Sequence, residues 1–358
     1  MMENSNLLNQ VVLRFLDDYT PFHEDLSAIA LTPDKHLWLG SDETTTLERL
    51  SQVDAHTFGE HQNFQLADVI ELPASTEEEI DIEGLAYADS YLWIVGSHST
   101  KRKKPKPDKK EKKNLKRLAT IESEANRYIL ARIPVINGSL LPSYPHPENP
   151  SQALTAAKLE LTEKGNLLMD ALESDPHLGS FIVSKIPGKD NGFDIEGIAV
   201  SNQTIYLGLR GPVLRGWAIL LEIEVEQISP THLGLKEIGL EGQRYKKHFI
   251  NLGGLGIRDL CFDGQDLLVL AGPTMELDGP VKVFRIKNGF GRSDEGLVWE
   301  PERILDIPHG EGKHHAEGMT LFAPITQQSS LLVVYDSPDE TTLSDGATGV
   351  LADVFLMS

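Results

Sequence analysis

The stretch Asp81-Ile82-Glu83-Gly84-Leu85-Ala86 recurs along the chain. It reappears as Asp194-Ile195-Glu196-Gly197-Ile198-Ala199, and a third copy is Ala316-Glu317-Gly318-Met319-Thr320. Two weaker copies, Leu26-Ser27-Ala28-Ile29-Ala30 and Ile257-Arg258-Asp259-Leu260-Cys261, complete the series. After a short polar gap, each copy is followed by a second apolar run that is typical of a strand. A repeat with this internal order indicates an architecture of similar units, each contributing a small sheet.

The copies are fairly evenly spaced. Their aligned positions Ser27, Glu83, Glu196, Arg258 and Glu317 are separated by 56, 113, 62 and 59 residues. Units of roughly 40–50 residues with several short strands are typical of propeller blades, and these units are somewhat longer. We interpret the double step as one unit with insertions; one unit plus a degenerate unit is the alternative. The sequence therefore predicts an all-β fold, a single five-bladed β-propeller over residues 1–358, with a six-bladed ring as the alternative.

The two ends of the chain are predicted to meet. Val11–Leu16 reads as a strand that has no partner in the first unit, and the last unit ends with the strand-like run Asp353–Met357. An open sheet edge promotes aggregation, and a propeller avoids it by closing on itself. We therefore expect the N-terminal strand to lie beside Asp353–Met357 and to close the ring.

Two insertions interrupt the repeat. The first, 99–125, contains the basic tract Lys101–Arg117, in which eleven Lys or Arg stand against two acidic residues. Two prolines and the lack of an apolar period predict no regular structure there. We interpret the tract as a solvated hairpin extension, or as a docking arm for an anionic partner or for the protein's own acidic surface. The second insertion, 139–192, contains a Pro-rich linker and a helical apolar spacing over Asn166–Leu178 that predicts a short helix.

Composition restricts the classes of function. The 358 residues carry a formal net charge of −21, which argues against nucleic-acid binding and against adsorption to an anionic membrane. The single cysteine, Cys261, excludes an intrachain disulfide framework, fits a reducing compartment and is interpreted as a core residue rather than a nucleophile. No secretory signal is visible, and no apolar stretch approaches the ~20 residues that span a bilayer. We expect a cytoplasmic, monomeric protein.

The glutamates of the repeat are predicted to converge at the central channel, because the copies would start the innermost strands. Converging carboxylates must be protonated, paired with arginine or neutralised by a cation. Hard oxygen ligands favour Ca²⁺ or Mg²⁺, and we predict Glu83, Glu196 and Glu317 as metal ligands. The alternative is a structural latch between blades. Ser27 and Arg258 interrupt the series, and this favours a functional site, since a latch would be expected in every unit.

Further polar residues are expected at the same mouth. They are His23, Glu24, Asp25, Asp42, Glu43, Asp81, His98, Asp194, Arg210, Asp259, His314, His315 and Asp336. Polar residues that differ between equivalent places suit a ligand pocket, so Asp42, Arg210, Arg258 and Asp336 are predicted to bind substrate. The candidate catalytic bases are His98 and His315. Adjacent strand residues face opposite sides, so only one residue of the His314-His315 pair can reach the site.

Several familiar catalytic and cofactor-binding motifs are absent from the sequence. There is no P-loop, no GxSxG elbow, no zinc-type Cys/His spacing and no dinucleotide fingerprint. The sequence therefore does not name a reaction by motif.

The combination of Asp81–Leu85, Leu92–Ser99, Asn126–Leu130, Asp194–Gly197 and His315–Met319 resembles a bacterial family of uncharacterised proteins, domain-of-unknown-function family 3616. The resemblance covers nearly the whole chain and implies that the basic tract is a family feature. The family carries no established activity, so the resemblance implies none.

A more distant similarity is to the propellers of esterase-like phytases, gluconolactonases and paraoxonases, which place Glu-Gly-aliphatic segments near a central calcium. This similarity implies only that Glu83, Glu196 and Glu317 are candidate calcium ligands.

Two classes of function follow. In the first, the protein is a divalent-cation-dependent hydrolase of a small anionic ester, lactone or phosphoester. The cation lowers the pKa of a bound water, His98 or His315 acts as general base, and Arg210 or Arg258 holds the substrate. In the second, the propeller is a non-catalytic scaffold that binds a ligand or a protein, and Lys101–Arg117 recruits an acidic partner. The convergent glutamates favour a ligand-binding or hydrolytic propeller.

Overall fold

The structure, a computed structural model, describes residues 6–16, 25–275, 277–290, 295–309, 315–342 and 348–357. The candidate residues His23, Glu24 and His314 lie outside the described residues. Strands dominate the described part of the chain, as the sequence predicts for an all-β fold.

The elements follow the repeat. The N-terminal strand and the first unit comprise β1 (Leu7–Leu13), β2 (Leu26–Leu31), β3 (His36–Ser41), β4 (Thr46–Gln52) and β5 (Thr57–Gln65). The second unit and the first part of its extension comprise β6 (Ile82–Ala88), β7 (Tyr91–Gly96), β8 (Lys101–Arg102), α1 (Glu111–Leu118), β9 (Ile121–Glu122), β10 (Leu130–Ile136), β11 (Ser139–Leu140), β12 (Ser143–Pro145), β13 (Ala153–Thr155) and β14 (Ala157–Leu159). The rest of the second insertion contains β15 (Leu161–Thr162), β16 (Gly165–Asn166), α2 (Leu167–Leu172) and α3 (Gly179–Val183).

The remaining units have the same plan. The third contains β17 (Asp194–Ser201), β18 (Thr204–Gly211), β19 (Trp217–Ser229), β20 (His232–Leu235) and β21 (Lys246–Asn251). The fourth contains β22 (Gly256–Asp263), β23 (Asp266–Gly272), β24 (Val281–Ile286), β25 (Gly296–Val298) and β26 (Glu302–Ile307). The last contains β27 (His315–Leu321), α4 (Ala323–Thr326), β28 (Ser330–Asp336), β29 (Glu340–Thr342) and β30 (Thr348–Leu356).

Each copy of the motif lies on the first strand of an antiparallel sheet. The strand orders are β2-β3-β4-β5, β6-β7-β10-β14, β17-β18-β19-β21, β22-β23-β24-β26 and β27-β28-β30-β1. The predicted meeting of the ends is confirmed. β1 pairs antiparallel with β30, with Leu13 opposite Val350, although the strand begins and ends nearer the N-terminus than predicted. The first strand of the chain therefore completes the last sheet.

The apolar cores lie between consecutive sheets. Each buried cluster joins one sheet to the next, and one cluster joins the last sheet to the first. Residue pairs that share a cluster are Trp38 and Ile94, Trp93 and Leu207, Leu220 and Val269, Leu270 and Val333, and Val334 and Leu39. Because both faces of these sheets are covered, β7 is buried along its whole length. This explains why its sequence is a continuous apolar run instead of an alternating one.

The innermost strands approach one another closely at the motif glycines. A Cβ atom added to Gly84 would lie 2.9 Å from a methyl carbon of Ile198 on β17. A Cβ atom added to Gly197 would lie 2.9 Å from Cα of Asp259 on β22. Glycine is therefore required by the distance between neighbouring inner strands.

Replacing Gly197 with alanine is expected to lower the free energy of unfolding by about 1–3 kcal/mol. The atoms that its Cβ would meet are backbone atoms of β22, and they cannot rotate away. Gly234→Ala is the matched control, because its Cβ would meet Ile228 at the same 2.9 Å, but that side chain is exposed and can move. Urea denaturation of both variants measures the difference. Equal losses would contradict the close approach of β17 and β22.

Both insertions differ from their prediction. The basic tract is not irregular: β8 and β9 pair, with Lys101 opposite Glu122, and α1 lies between them. The helix has no buried residue. Its sequence therefore lacks the apolar period from which a helix is predicted. The side chain of Asn114 holds the turn before α1, accepting from N of Lys106 at 3.0 Å and donating to its O at 2.9 Å.

The second insertion contains two short helices instead of one. The side chain of Asn166 caps α2, accepting from the backbone N of Leu168 at 3.0 Å and of Met169 at 3.2 Å. The side chain of Asp175 accepts from the backbone N of Leu178 at 3.0 Å, and this turn leads into α3. The predicted helix is therefore confirmed over Leu167–Leu172 only, and the second helix begins after its predicted end.

Among the described helices, none combines the length and the apolar character that crossing a membrane requires.

Candidate functional site

A β-bulge occurs at the aligned position of every copy of the repeat. The pairing register between each motif strand and its neighbour shifts at this point, and the residues at the shifts are Ser27, Glu83, Glu196, Arg258 and Glu317. A bulge bends its strand and changes the direction of a side chain. The bulges therefore explain how one position of the repeat leaves the sheet faces and meets residues of other inner strands.

Arg258 binds two of the three predicted metal ligands. Its Nη1 lies 2.5 Å from Oε1 of Glu317 and 3.3 Å from Oε2 of Glu196. Arg210 donates from Nη1 to Oε1 of Glu196 and from Nε to the carbonyl of Thr274 at 2.8 Å. Burial acts to raise the pKa of Glu317, but the nearby cations, Arg258 first among them, outweigh burial and lower it. Two carboxylates are thus neutralised by arginine.

Arg127 binds a second set of carboxylates in the same way. Its Nη1 lies 2.5 Å from Oδ2 of Asp81, its Nη2 lies 2.5 Å from Oε1 of Glu79, and its Nε lies 3.0 Å from Oε2 of Glu124. Lys101 joins the network, with Nζ 2.7 Å from Glu79 and 2.8 Å from Glu124. Lys101, at the start of the basic tract, is therefore linked through Glu79 and Arg127 to Asp81 of the repeat. Sequence reasoning missed Arg127 and Glu79, because neither belongs to the repeat.

Three other carboxylates form no ion pair with the residues that the structure describes. Within the described ranges, no side-chain hydrogen bond or ion pair is formed by Asp42, Glu83 or Asp194. Glu83 is only 9% exposed, and Oδ1 of Asp194 is buried without a donor. Burial and then Glu196 raise the pKa of Asp194 to about 7, and burial and then Asp81 raise that of Asp42 to about 8. Burial, followed by neighbouring carboxylates, raises the pKa of Glu83 well above its usual value.

These three carboxylates line one cavity of about 690 Å³, which we call the axial cavity. Asp81 lines it as well. Seven of the cations that line the cavity, which we call the basic wall, are Lys101, Arg102, Lys103, Lys104, Lys106, Arg117 and Lys189. The volume falls within the range of about 300–1,000 Å³ that is typical of small-molecule sites. Carboxyl groups with raised pKa values therefore share one cavity with several cations.

The structure corrects the role predicted for His98. Its Nδ1 lies 2.7 Å from the carbonyl oxygen of Gly96, and its Nε2 lies 2.7 Å from Nδ2 of Asn166. Burial lowers the pKa of His98 to about 4. Nδ1 therefore donates and Nε2 accepts, so neither nitrogen remains to take a proton from a substrate. His98 instead fixes the cap of α2 to the end of β7.

His315 and Asp336 lie together, away from the lining of the axial cavity. Nε2 of His315 is 3.1 Å from Oδ1 of Asp278, and its Nδ1 is 4.0 Å from Oδ2 of Asp336. Burial, followed by the charge of Glu317, raises the pKa of Asp336. Asp336 also accepts a hydrogen bond from the hydroxyl of Ser337 at 3.0 Å. The catalytic role of His315 and the substrate-binding role of Asp336 stay predictions.

The predicted calcium site does not fit the residues as they stand. Glu196 and Glu317 are already bound by arginine, and only Glu83 of the predicted set forms no ion pair with a described residue. In the part of the chain that the structure describes, no group of three or more His, Cys, Asp or Glu residues is placed to hold a metal ion. The predicted substrate-binding arginines, Arg210 and Arg258, are likewise engaged by glutamate.

Asp194→Asn is expected to change how stability depends on pH. The unfolded chain releases the Asp194 proton near the ordinary aspartate pKa of 3.8, whereas the folded chain keeps it until about pH 7. The folded state thus binds more protons in this window, and wild-type stability falls as pH rises through it. Asparagine has no such proton, so the advantage of the variant should grow from about pH 4 and level off above pH 7, at roughly 2–4 kcal/mol. Thermal unfolding at unit pH intervals measures it. A constant difference would contradict the raised pKa.

Comparison with solved structures gives similarity at low identity. The PQQ-bound aldose sugar dehydrogenase from Streptomyces coelicolor is 12% identical, with 97% of each chain covered and a TM-score of 0.37. A streptogramin B lyase is 9% identical, with 98% of each chain covered and a TM-score of 0.39. The native Bacillus subtilis arabinanase is 11% identical, with 91% of this chain and 92% of that chain covered and a TM-score of 0.38. Values this low assign no activity to this chain.

No curated protein matches the sequence. The model of the family described as "Protein of unknown function (DUF3616)" matches residues 25–353, nearly the whole chain, and the protein therefore belongs to that family.

Proposed function

We propose that the sheets form a five-bladed propeller around the axial cavity. Each of the five motif strands carries a bulge at the same repeat position. Each buried cluster joins one sheet to the next in chain order, including the last to the first. A sixth blade would have to separate two sheets that already share a core. These contacts support five blades, with the two insertions belonging to one domain.

We propose that the axial cavity is a hydrolytic site for a small anionic ester, lactone or phosphoester. The observation that carries this proposal is Glu83. It is a buried carboxylate that lines the cavity, has no partner among the described side chains, and has a strongly raised pKa. A buried carboxyl group with a raised pKa can serve as a general acid. The basic wall would hold the anionic part of the substrate.

The hydrolytic step needs one acid and one base. In this proposal Asp194, with a pKa of about 7, accepts a proton from water as the water oxygen bonds to the substrate carbon or phosphorus. The bond from that atom to the leaving oxygen breaks, and Glu83 gives its proton to the leaving oxygen. Transfer of the proton from Asp194 to Glu83, directly or through solvent, restores the starting state. His98 has no role in this step, and Arg210 and Arg258 hold glutamates.

A panel of chromogenic substrates tests the proposal. p-Nitrophenyl acetate, p-nitrophenyl phosphate and a γ-lactone would be assayed with wild-type protein and with a Glu83→Gln preparation to subtract contaminants. Turnover that depends on Glu83 supports the site, and its absence with every substrate would remove the proposal. Dependence on Ca²⁺ or Mg²⁺ stays a prediction. The same assay on chelator-treated protein, with and without added Ca²⁺, tests it.

The second candidate is a non-catalytic scaffold that binds an acidic protein. It is favoured by the outward face of α1, where Leu115 is 61% exposed and stands among the exposed Lys112, Lys113 and Lys116. A pull-down with wild-type protein and with a variant carrying glutamine at the three lysines distinguishes the two functions. The same partners on both proteins would rule out α1 as the docking surface. The cytoplasmic location stays a prediction.

A further inference from the structure

Among the cations that line the axial cavity, two groups differ in what they touch. One group attaches the tract to the rest of the protein. Lys101 contacts Glu79 and Glu124, Nε of Arg102 lies 2.7 Å from Oδ2 of Asp190, and Nζ of Lys103 lies 2.5 Å from Oε1 of Glu122. Because these charges are already paired, they hold the basic tract at the axial cavity and are not available to a ligand.

The second group forms no direct ion pair with any described residue. Within the described residues, Nζ of Lys106 and Nζ of Lys189 form no hydrogen bond or ion pair. Arg117 donates only from Nε, to the carbonyl of Lys104 at 2.6 Å. All three residues line the axial cavity. Three positive groups from two insertions therefore share one cavity. Nζ of both lysines and the two Nη atoms of Arg117 remain unused among the described residues.

The unused cations and the free carboxylates line the same cavity. Lys106 and Arg117 belong to the basic tract, whereas Lys189 precedes β17 and is close enough to Asp42 and Glu83 to interact with their charges. A guanidinium presents two N–H groups that match phosphate oxygens, and lysine adds a point charge. The carboxyl groups of the same cavity suit hydroxyl groups of a ligand. A ligand matching both sets of side chains carries a phosphate and several hydroxyls.

We infer that Lys106, Arg117 and Lys189 form an anion subsite, and that the substrate class is a phosphate monoester of a small polyhydroxylated molecule. This inference rests on the proposed function, because it selects the phosphoester among the substrates considered there. Of these substrates, a phosphate monoester leaves a dianion after the leaving group departs. Inorganic phosphate, the second product, should therefore occupy the same subsite as the substrate phosphate.

Calorimetric titration with inorganic phosphate at low ionic strength tests the subsite, with acetate as a monoanion for comparison. Wild-type protein should bind phosphate and should bind acetate more weakly. The double variant Lys106→Ala/Lys189→Ala should lose at least about tenfold in phosphate affinity. The matched control Lys112→Ala/Lys113→Ala makes the same charge change in the same tract, but outside the cavity, and should stay within about twofold.

A wild-type protein that does not bind phosphate would overturn the inference. Equal losses in the two double variants would do the same, because they would reveal only long-range attraction. If the first double variant does not fold, Arg117→Gln provides the test, with an expected loss of several-fold. Glu83→Gln separates the two proposals: it should retain phosphate binding while it loses turnover. Phosphate binding without any turnover would therefore refute hydrolysis alone, and turnover with unchanged binding in the lysine variant would refute the subsite alone.

Discussion

Glu83→Gln is expected to lower kcat/KM for the hydrolysed substrate by about 10²–10⁴-fold, the usual contribution of a general acid or base. Glutamine has the shape of protonated glutamate but has no acidic proton for the leaving oxygen. The folded structure should tolerate the change, since Glu83 has no partner among the described residues and burial already disfavours its charge. Steady-state kinetics and thermal unfolding on the same preparation separate lost chemistry from lost folding.

Glu43→Gln is the matched control for this result. Glu43 lines the same cavity but is exposed to solvent, so the same chemical change is made without touching the buried acid. Its kcat/KM should stay within about threefold of wild type. Full activity in Glu83→Gln, or an equal loss in Glu43→Gln, would show that Glu83 is not the proton donor. The melting temperature of Glu83→Gln should equal or exceed that of wild type at neutral pH, because the buried carboxyl is gone.

Arg258→Ala is expected to lower the free energy of unfolding by about 3–5 kcal/mol, the cost of leaving a buried ion without its partner. Arg258 reaches Glu196 and Glu317 from one nitrogen, and both carboxylates would remain buried beside one another. Arg210 would still bind one oxygen of Glu196. Most of the lost free energy should therefore come from Glu317, which would be left without a bound arginine. Urea denaturation at neutral pH measures the loss.

Two further variants identify the cause of that loss. Arg303→Ala removes an arginine whose contact with Asp306 spans 3.6 Å and is more than half exposed, so it should cost less than about 1 kcal/mol. Arg258→Ala combined with Glu317→Gln should recover part of the stability, because the stranded charge is gone. A loss below about 1 kcal/mol in Arg258→Ala, or no recovery in the double variant, would contradict a buried charge network.

Much of the fold could be predicted because its signal is local. The repeat marks each inner strand, and the motif glycines mark the bulges and close approaches that the structure contains at Gly84 and Gly197. The unpartnered N-terminal strand predicted the pairing of β1 with β30. The helix α1 could not be predicted in this way, since none of its residues is buried and burial is what produces an apolar period.

The site was predicted only in part. Pairing with Arg258 was one of three ways to neutralise the glutamates, and the structure has it for Glu196 and Glu317. The more distant similarity implied calcium at these glutamates, whereas the structure has arginine bound to Glu196 and Glu317. The positions of Arg127 and Lys189 could not be predicted, because they come from segments outside the repeat. His98 was predicted as a base from its position alone, and the partners that occupy both its nitrogens are 2 and 68 residues away.

The sequence by itself determined which residues begin the inner strands and which side chains a bulge directs inward, because strand and bulge patterns are written in neighbouring residues. Only the tertiary structure decided which carboxylates meet an arginine and which remain without one. That division depends on distances between residues far apart in the chain, set by ring closure and by where the insertions fold back. The same distances bring the free carboxylates and the free cations of the basic wall to one cavity.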